Sequence, residues 1–167
     1  VFVYAKWEAA EVDYSVVYWY EKENIPIEDF DEEEKKNQRN YVFGYLEPTP
    51  RKAKTGETVE ISPEQVPGAA KAAMPYSEYA YSKEETIRAD GTTVINVYFT
   101  RVIYDFIFQP TYPSNDVYVI FEWQGETYTP ENPYKLKVKL GLDVESVHPF
   151  YMIDEDGVPN IRSVYKS

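Results

Sequence analysis

The chain lacks cysteine altogether and has one histidine, His148, and only seven glycines among its 167 residues. The absence of cysteine excludes disulfides, thiolate metal sites, cysteine nucleophiles and an internal thioester. A single histidine excludes a histidine-rich zinc site. A Ser-His-Asp triad would need partners that no spacing marks, so we interpret His148 as a turn or interface residue. No glycine-rich phosphate loop is present either.

Long apolar runs and an excess of basic residues are also lacking. The longest apolar run, Val117–Phe121, is too short to span a bilayer, and the first residues do not have the pattern of a signal peptide. The chain carries 17 basic and 29 acidic residues, a net charge of −12. Because such a surface repels phosphate backbones and anionic lipid, we expect neither nucleic-acid binding nor membrane insertion.

Aromatic residues are abundant, at 17% of the chain, and 17 residues are tyrosines. Each buried aromatic ring removes a large area from water, so even a small β-rich domain has material for a core. The length allows one ordinary domain or two small ones.

Alternating apolar residues predict the strands of the first half. In Asp13–Glu21 both alternate sets are apolar, which is typical of a central strand covered on both faces. Tyr41–Leu46, Glu57–Ile61, Glu84–Arg88 and Val94–Thr100 are predicted as further strands, with Tyr76–Tyr81 as an aromatic connection.

A helix start and a charged segment lie between these strands. Ser62-Pro63-Glu64-Gln65 has the form of a capping box, followed by a short helix through Ala69–Met74. The segment Glu21–Asn40 is heavily charged, and a short surface helix and a solvated loop insertion both fit it. Its acids at 28–34 lack the pattern of a calcium loop and indicate a solvated charge run.

The residue pattern of the second half of the chain predicts further strands. Val102–Phe108 and Val117–Trp123 alternate, and Gln124-Gly125 predicts a hairpin turn. In Lys135–Gly141 the pattern places the residues Leu136, Val138 and Leu140 inward and the lysines Lys135, Lys137 and Lys139 outward.

Three segments in this order, Tyr14–Tyr20, Lys54–Val59 and Asp90–Arg101, resemble the β-grasp repeats of bacterial cell-surface proteins, both internalin-type B-repeats and mucin-binding-protein-like repeats. The Tyr-Ala-Lys-Trp end of Val1–Trp7 is similar to the end of a Listeria–Bacteroides repeat. Residues 102–153 resemble a repeat that follows B-repeats in the same proteins.

The resemblance implies an α+β fold, mostly β, with two small β-rich units in tandem, the first β-grasp-like with one short helix. Residues 1–10 would end a preceding repeat and form a linker. Residues 11–101 would form the β-grasp-like repeat, and 102–167 a second, truncated repeat. We expect the chain to be a piece of a longer polypeptide.

The implied function is non-catalytic: a stalk or adhesion module of a large secreted bacterial surface protein, with no cofactor. Such a module lies outside the cell, attached to the cell wall through other parts, with neighbouring repeats as partners. The alternative is a ligand-binding module that recognises a host glycan or host protein through exposed tyrosines.

The candidate ligand-binding residues are the tyrosines outside predicted strand interiors, namely Tyr76, Tyr79, Tyr81, Tyr112, Tyr128 and Tyr134. No metal site is predicted. Asp154 and Asp156 are the best acidic fragment, but an acidic turn at Gly157 explains them. A contiguous exposed aromatic patch would favour binding, buried aromatics would favour a spacer, and an exposed edge strand would favour binding by strand addition.

Overall fold

The chain forms two compact units, which divide between Val102 and Ile103. The computed structural model describes residues 8–23, 25, 27, 30–123, 125–139 and 161–165. Within them the fold is α+β and mostly β, with one short helix and several small sheets, which confirms the predicted class. Predictions for Val1–Trp7 and for residues 140–160 lie outside the described residues.

The described part of the first unit contains seven strands and one helix, together with three single turns of 3₁₀ helix. The strands and helix are β1 (Glu11–Glu21), β2 (Tyr41–Leu46), β3 (Arg51–Lys54), β4 (Thr58–Val59), α1 (Gly68–Ala73), β5 (Ser77–Ser82), β6 (Glu85–Thr86) and β7 (Val94–Arg101). The 3₁₀ turns span Glu34–Lys36, Gln38–Asn40 and Pro63–Gln65.

The main sheet has the strand order β2-β1-β7-β5, and β3 pairs with the first half of β1. β1 and β7 run parallel at the centre, in the register Ser15 opposite Val94 through Tyr20 opposite Phe99. β2 and β5 pair antiparallel on either side. Two parallel central strands flanked by antiparallel strands, with a helix packed on one face, form the β-grasp arrangement.

The first face of the sheet carries the larger core. Alternate residues of β1 and β7, among them Val16, Tyr18, Ile95 and Val97, are buried there. They pack against the segment that contains α1, whose buried residues are Ile61, Val66, Ala70 and Met74. The predicted helix start is confirmed, because the Ser62 backbone N–H donates to Gln65 Oε1 at 2.9 Å.

The second face is covered by the charged segment that follows β1. Phe30 packs on Tyr41 and Tyr98, with Trp19 and Ile25 at the margin. The 3₁₀ turn Glu34–Lys36 is stabilised by a residue just before it, because Asp31 Oδ1 accepts hydrogen bonds from the backbone N–H groups of Glu33 and Glu34 at 2.9 Å each. The segment is therefore a folded cover built from two 3₁₀ turns, and β1 is covered on both faces as predicted.

The edge strand β5 differs from the prediction. The sequence placed a strand at Glu84–Arg88 and a connection at Tyr76–Tyr81, whereas Ser77–Ser82 pairs with β7 and only Glu85–Thr86 forms a short strand, with β4. The physical reason is packing across strands: the rings of Tyr79 and Tyr81 lie against aromatic residues of β7, which the polar Glu84–Arg88 segment cannot match.

A buried ionic cluster closes one end of the sheet. The Glu21 carboxylate accepts the Arg101 backbone N–H at 2.7 Å, and Arg101 Nε donates to the Glu21 carbonyl oxygen at 3.2 Å. Both residues are buried, and the Arg101 guanidinium lies 5.0 Å above the centre of the Tyr20 ring. The last residues of β1 and β7 are thereby held together, 80 positions apart in the chain.

The described part of the second unit contains two small sheets. Its strands are β8 (Ile103–Phe108), β9 (Val117–Trp123), β10 (Glu126–Tyr128), β11 (Tyr134–Lys139) and β12 (Ile161–Tyr165). β9 pairs with β10 and β12, and β8 pairs with β11, all antiparallel. The predicted hairpin is confirmed between β9 and β10, where Gly125 has a φ of +82°.

The core of the second unit centres on Phe108 and Phe121. The predicted alternation fails at two places. Lys139, predicted to point outward, is only 9% exposed. Its neighbour Val138 is buried as well, so both sides of β11 are covered at this end of the strand. In β8, where the alternation predicts one apolar face, Tyr104 and Phe106 are exposed and Phe108 is buried.

We expect Gly44→Ala to destabilise the first unit by about 1–3 kcal/mol, the usual cost of overpacking a tight site. Gly44 is the extra residue of a β-bulge in β2, and a Cβ there would lie 2.7 Å from Met74 Sδ and 3.2 Å from the Tyr18 carbonyl oxygen. The measurement is the urea unfolding midpoint.

The matched control is Gly68→Ala at the start of α1, where an added Cβ would meet nothing within 4 Å. Because alanine favours a helix over glycine, this variant should be as stable as the parent chain or slightly more stable. Equal midpoints for the two variants would show that Met74 does not pack tightly on Gly44.

Candidate functional site

The structure separates two of the predicted tyrosines, Tyr79 and Tyr81, onto opposite faces of the sheet. Residues two apart in a regular strand share a face. Here a β-bulge intervenes, so Tyr79 lies opposite Phe99, Tyr81 lies opposite Tyr98, and Ala80 is the extra residue. The sequence contains no signal that marks this bulge.

Tyr79 belongs to the core of the first face. Its ring meets Phe99 edge-on at 6.0 Å between centroids, and its hydroxyl donates to the Ile61 carbonyl oxygen at 2.8 Å. Tyr81 lies on the second face, where it stacks on Tyr98 at 4.5 Å. Neither ring therefore forms part of an open platform.

The other four predicted tyrosines divide between packing and exposure. Tyr128 and Tyr134 pack against each other and against Phe121 in the second unit. Tyr76 is 60% exposed, with a left-handed φ of +58° that is unusual for a non-glycine residue. Tyr112 is 46% exposed, and its hydroxyl donates to a Glu131 carboxylate oxygen.

The acidic residues that drew attention to metals do not form a cluster in the part of the chain that the structure describes. No group of three or more histidine or acidic residues there is arranged to hold a metal ion. Asp31 caps a turn, and Glu34 Oε2 accepts hydrogen bonds from the Asn37 and Asn40 amides. Asp154 and Asp156 lie outside the described residues.

A polar cleft of about 180 Å³ lies between the first 3₁₀ turn and the edge strand β5. Its lining residues come from the turn, from β5 and from β7: Glu32, Lys35, Lys36, Glu78, Tyr79, Ala80, Tyr81 and Thr100. Because the ring of Tyr79 packs on the first face, this residue lines the cleft with its main-chain atoms. We call this feature the β5 cleft.

Charges of both signs surround the β5 cleft. Lys35 Nζ lies 2.6 Å from Glu32 Oε1, so these two groups neutralise each other. Lys36 and Glu78 are exposed, and neither forms an ion pair with any described residue. Thr100, opposite Glu78 in the register, is only 6% exposed. The cleft therefore offers hydrogen-bond donors and acceptors with little net charge.

Burial raises the pKa of Tyr81 to about 12, with the neighbouring phenol of Tyr98 as a further cause. Burial also raises the pKa of Tyr41, which packs on the same aromatic cluster. The phenol of Tyr81 is therefore neutral throughout the physiological range, and it is hydrogen-bonded to the phenol of Tyr98.

The outer strand β2 is a second notable surface, and the sequence analysis did not single it out. Within the described residues β2 pairs only with β1, so its outer edge is open. Three of its apolar side chains are exposed, Val42, Phe43 and Leu46, with Phe43 at 62%. The sequence predicts only a short strand here. Whether a strand lies at the edge depends on the order of strands in the sheet, which the residue pattern does not specify.

Comparison with known proteins gives no match, whether to family models, to curated proteins or to solved structures. No helix in the described ranges is long and apolar enough to cross a membrane.

The raised pKa values of the buried tyrosines predict that the folded chain loses stability in alkali. In the unfolded chain a tyrosine ionises near pH 10, whereas Tyr81 in the folded chain holds its proton to about 12. The contribution of the Tyr81 phenol to the free energy of unfolding is thus complete below about pH 10. It is lost as the pH rises through about 12. The urea midpoint should fall over that interval, and less steeply in Tyr81→Phe.

Tyr76→Phe is the control, because this exposed tyrosine lies outside the aromatic cluster of the second face. Its midpoint should follow the parent chain at each pH. Identical alkaline profiles for Tyr81→Phe and the parent would contradict the burial of the Tyr81 hydroxyl.

Proposed function

We propose that this chain is a non-catalytic stalk or adhesion module of a large, secreted bacterial surface protein. It would space or present other domains outside the cell, with neighbouring repeats as its partners. The observation that carries the proposal is the direct succession of two units with separate cores. β7 ends at Arg101 and β8 begins at Ile103, so a single residue connects the two strands.

Separate cores support this role because each unit can fold on the strength of its own packing. The first unit has aromatic and aliphatic clusters on both faces of its sheet, and the second centres on Phe108 and Phe121. In arrays of small domains, stability is approximately a sum over units and their nearest neighbours, so the array lengthens without a shared core.

The placement of the tyrosines also supports a spacer over a tyrosine-lined platform. Four of the six candidate tyrosines, Tyr79, Tyr81, Tyr128 and Tyr134, are half-buried and engaged in ring packing within their own units. Aromatic side chains that stabilise small β-domains are not available to stack on a ligand.

A second candidate function, binding of a host protein by strand addition, is favoured by β2. Its open edge carries Val42, Phe43 and Leu46, all exposed. Exposed sheet edges pair with extended segments through main-chain hydrogen bonds, and neighbouring apolar side chains add specificity.

We expect both units to tumble with one rotational correlation time in ¹⁵N relaxation measurements on the whole chain. A one-residue connection offers only a few backbone dihedral angles for independent motion. A variant with Gly-Ser-Gly-Ser inserted between Val102 and Ile103 should show two different correlation times, because glycine and serine form a flexible linker.

The insertion is the matched control, since it leaves both cores intact. Different correlation times in the parent chain would overturn the stalk proposal, because units that already move independently cannot hold another domain at a defined distance.

For the second candidate, Phe43→Lys should abolish capture of an extracellular host protein on an array. The charge would interrupt the apolar row of β2. Lys54→Glu, an exposed position on β3 that forms no ion pair with a described residue, is the control for a change of charge alone. Capture that survives Phe43→Lys would exclude β2 as the binding edge.

A further inference from the structure

We propose that the β5 cleft binds a neutral saccharide unit through hydrogen bonds. This site is additional to the stalk role and does not depend on it. Three independent features of the cleft carry the inference: a buried hydroxyl with no hydrogen-bond partner among the described residues, two opposite charges with no ion-pair partner among them, and a bulge that brings the lining groups to one face.

The buried hydroxyl belongs to Thr100 on β7. The residue is 6% exposed and lines the cleft, and its side chain makes no hydrogen bond to any described residue. Buried polar groups in folded proteins almost always have a partner. Valine has the same shape as threonine and suits a strand equally well, so packing alone does not account for the hydroxyl. Its partner must therefore come from within the cleft, as water or as a ligand.

The two unpaired charges are Lys36 and Glu78. Lys35 and Glu32 satisfy each other at 2.6 Å, which leaves one ammonium donor and one carboxylate acceptor at the cleft. Because these two charges cancel, the cleft has no net attraction for an anion or a cation. Its lining suits a neutral ligand that both donates and accepts hydrogen bonds.

The bulge at Ala80 assembles these groups. Glu78 lies opposite Thr100 in the register, and the extra residue returns Tyr81 to the same face as Glu78 and Thr100. β-bulges commonly redirect side chains beside functional sites. The cleft therefore has an acceptor, a hydroxyl and a neutral phenol on one side, and the ammonium group of Lys36 on the other.

Vicinal hydroxyls of a sugar match this set. One hydroxyl can donate to the Glu78 carboxylate, another can accept from Lys36, and the Thr100 hydroxyl can do either. A purely apolar ligand would leave the charged groups unpaired at a cost in affinity, so it is disfavoured.

The test is an NMR titration of the ¹⁵N-labelled whole chain with glucose, galactose, N-acetylglucosamine oligomers and N-acetylneuraminic acid. We expect a neutral sugar to shift the amides of residues 78–81, Thr100 and residues 35–36 together. Thr100→Val should weaken that sugar's binding about tenfold, roughly the value of one hydrogen bond to a charged or polar group.

Thr100→Val should also be at least as stable as the parent chain, because it removes a buried hydroxyl that has no partner in the part of the chain that the structure describes. Glu78→Gln, at an exposed position, tests the site without touching the core and should weaken binding too. Thr86→Val on β6 and Lys52→Gln on β3, which do not line the cleft, should bind as the parent does.

Three results would overturn the proposal. One is the absence of shifts at the cleft with every neutral sugar, which would leave water as the partner of Thr100. Another is full binding by both Thr100→Val and Glu78→Gln. The third is a response to N-acetylneuraminic acid alone that disappears with added salt, which would indicate attraction of an anion to Lys36. None of these results would change the relaxation experiment on the two units.

Discussion

The parallel pairing of β1 with β7 is the constraint on which the first unit depends. Parallel strands cannot be joined by a tight turn. The elements that lie between β1 and β7 in the chain therefore all belong to the connection that crosses from one strand to the other. β2 then adds to the free side of β1, β5 adds to the free side of β7, and the segment containing α1 covers one face. The buried contacts of Glu21 with Arg101 hold the ends of the two strands in register.

A sheet with two central strands must be covered on both faces, and the two covers differ in kind. α1 and its flanking loops supply apolar residues to the first face, which is a continuous core. The second face is covered by a charged segment whose described residues contribute Phe30 and Ile25 to the apolar cluster. The β5 cleft lies beside this cover, between the first 3₁₀ turn and β5, whereas the open edge of β2 follows from its outer position in the sheet.

The elements that were predicted correctly are those whose signals are local. β1 follows from its alternation, the 3₁₀ turn before α1 from the capping box at Ser62 and Gln65, and the β9–β10 hairpin from Gly125. β5 was missed because its partner is β7, and an aromatic run near prolines and charges looks like a connection until that partner is known. The bulge at Ala80 was equally invisible, and it alone separates the rings of Tyr79 and Tyr81.

Composition and alternation by themselves determined that the chain is an acidic, mostly β protein without cysteine chemistry, with a central strand that is apolar on both sides. These properties are set by each residue and its near neighbours. Tertiary structure alone decided which tyrosines are buried, that Thr100 lies against a cleft, and that β2 is an edge. Burial and edge position depend on strand order and register, which are fixed by contacts between residues far apart in the chain.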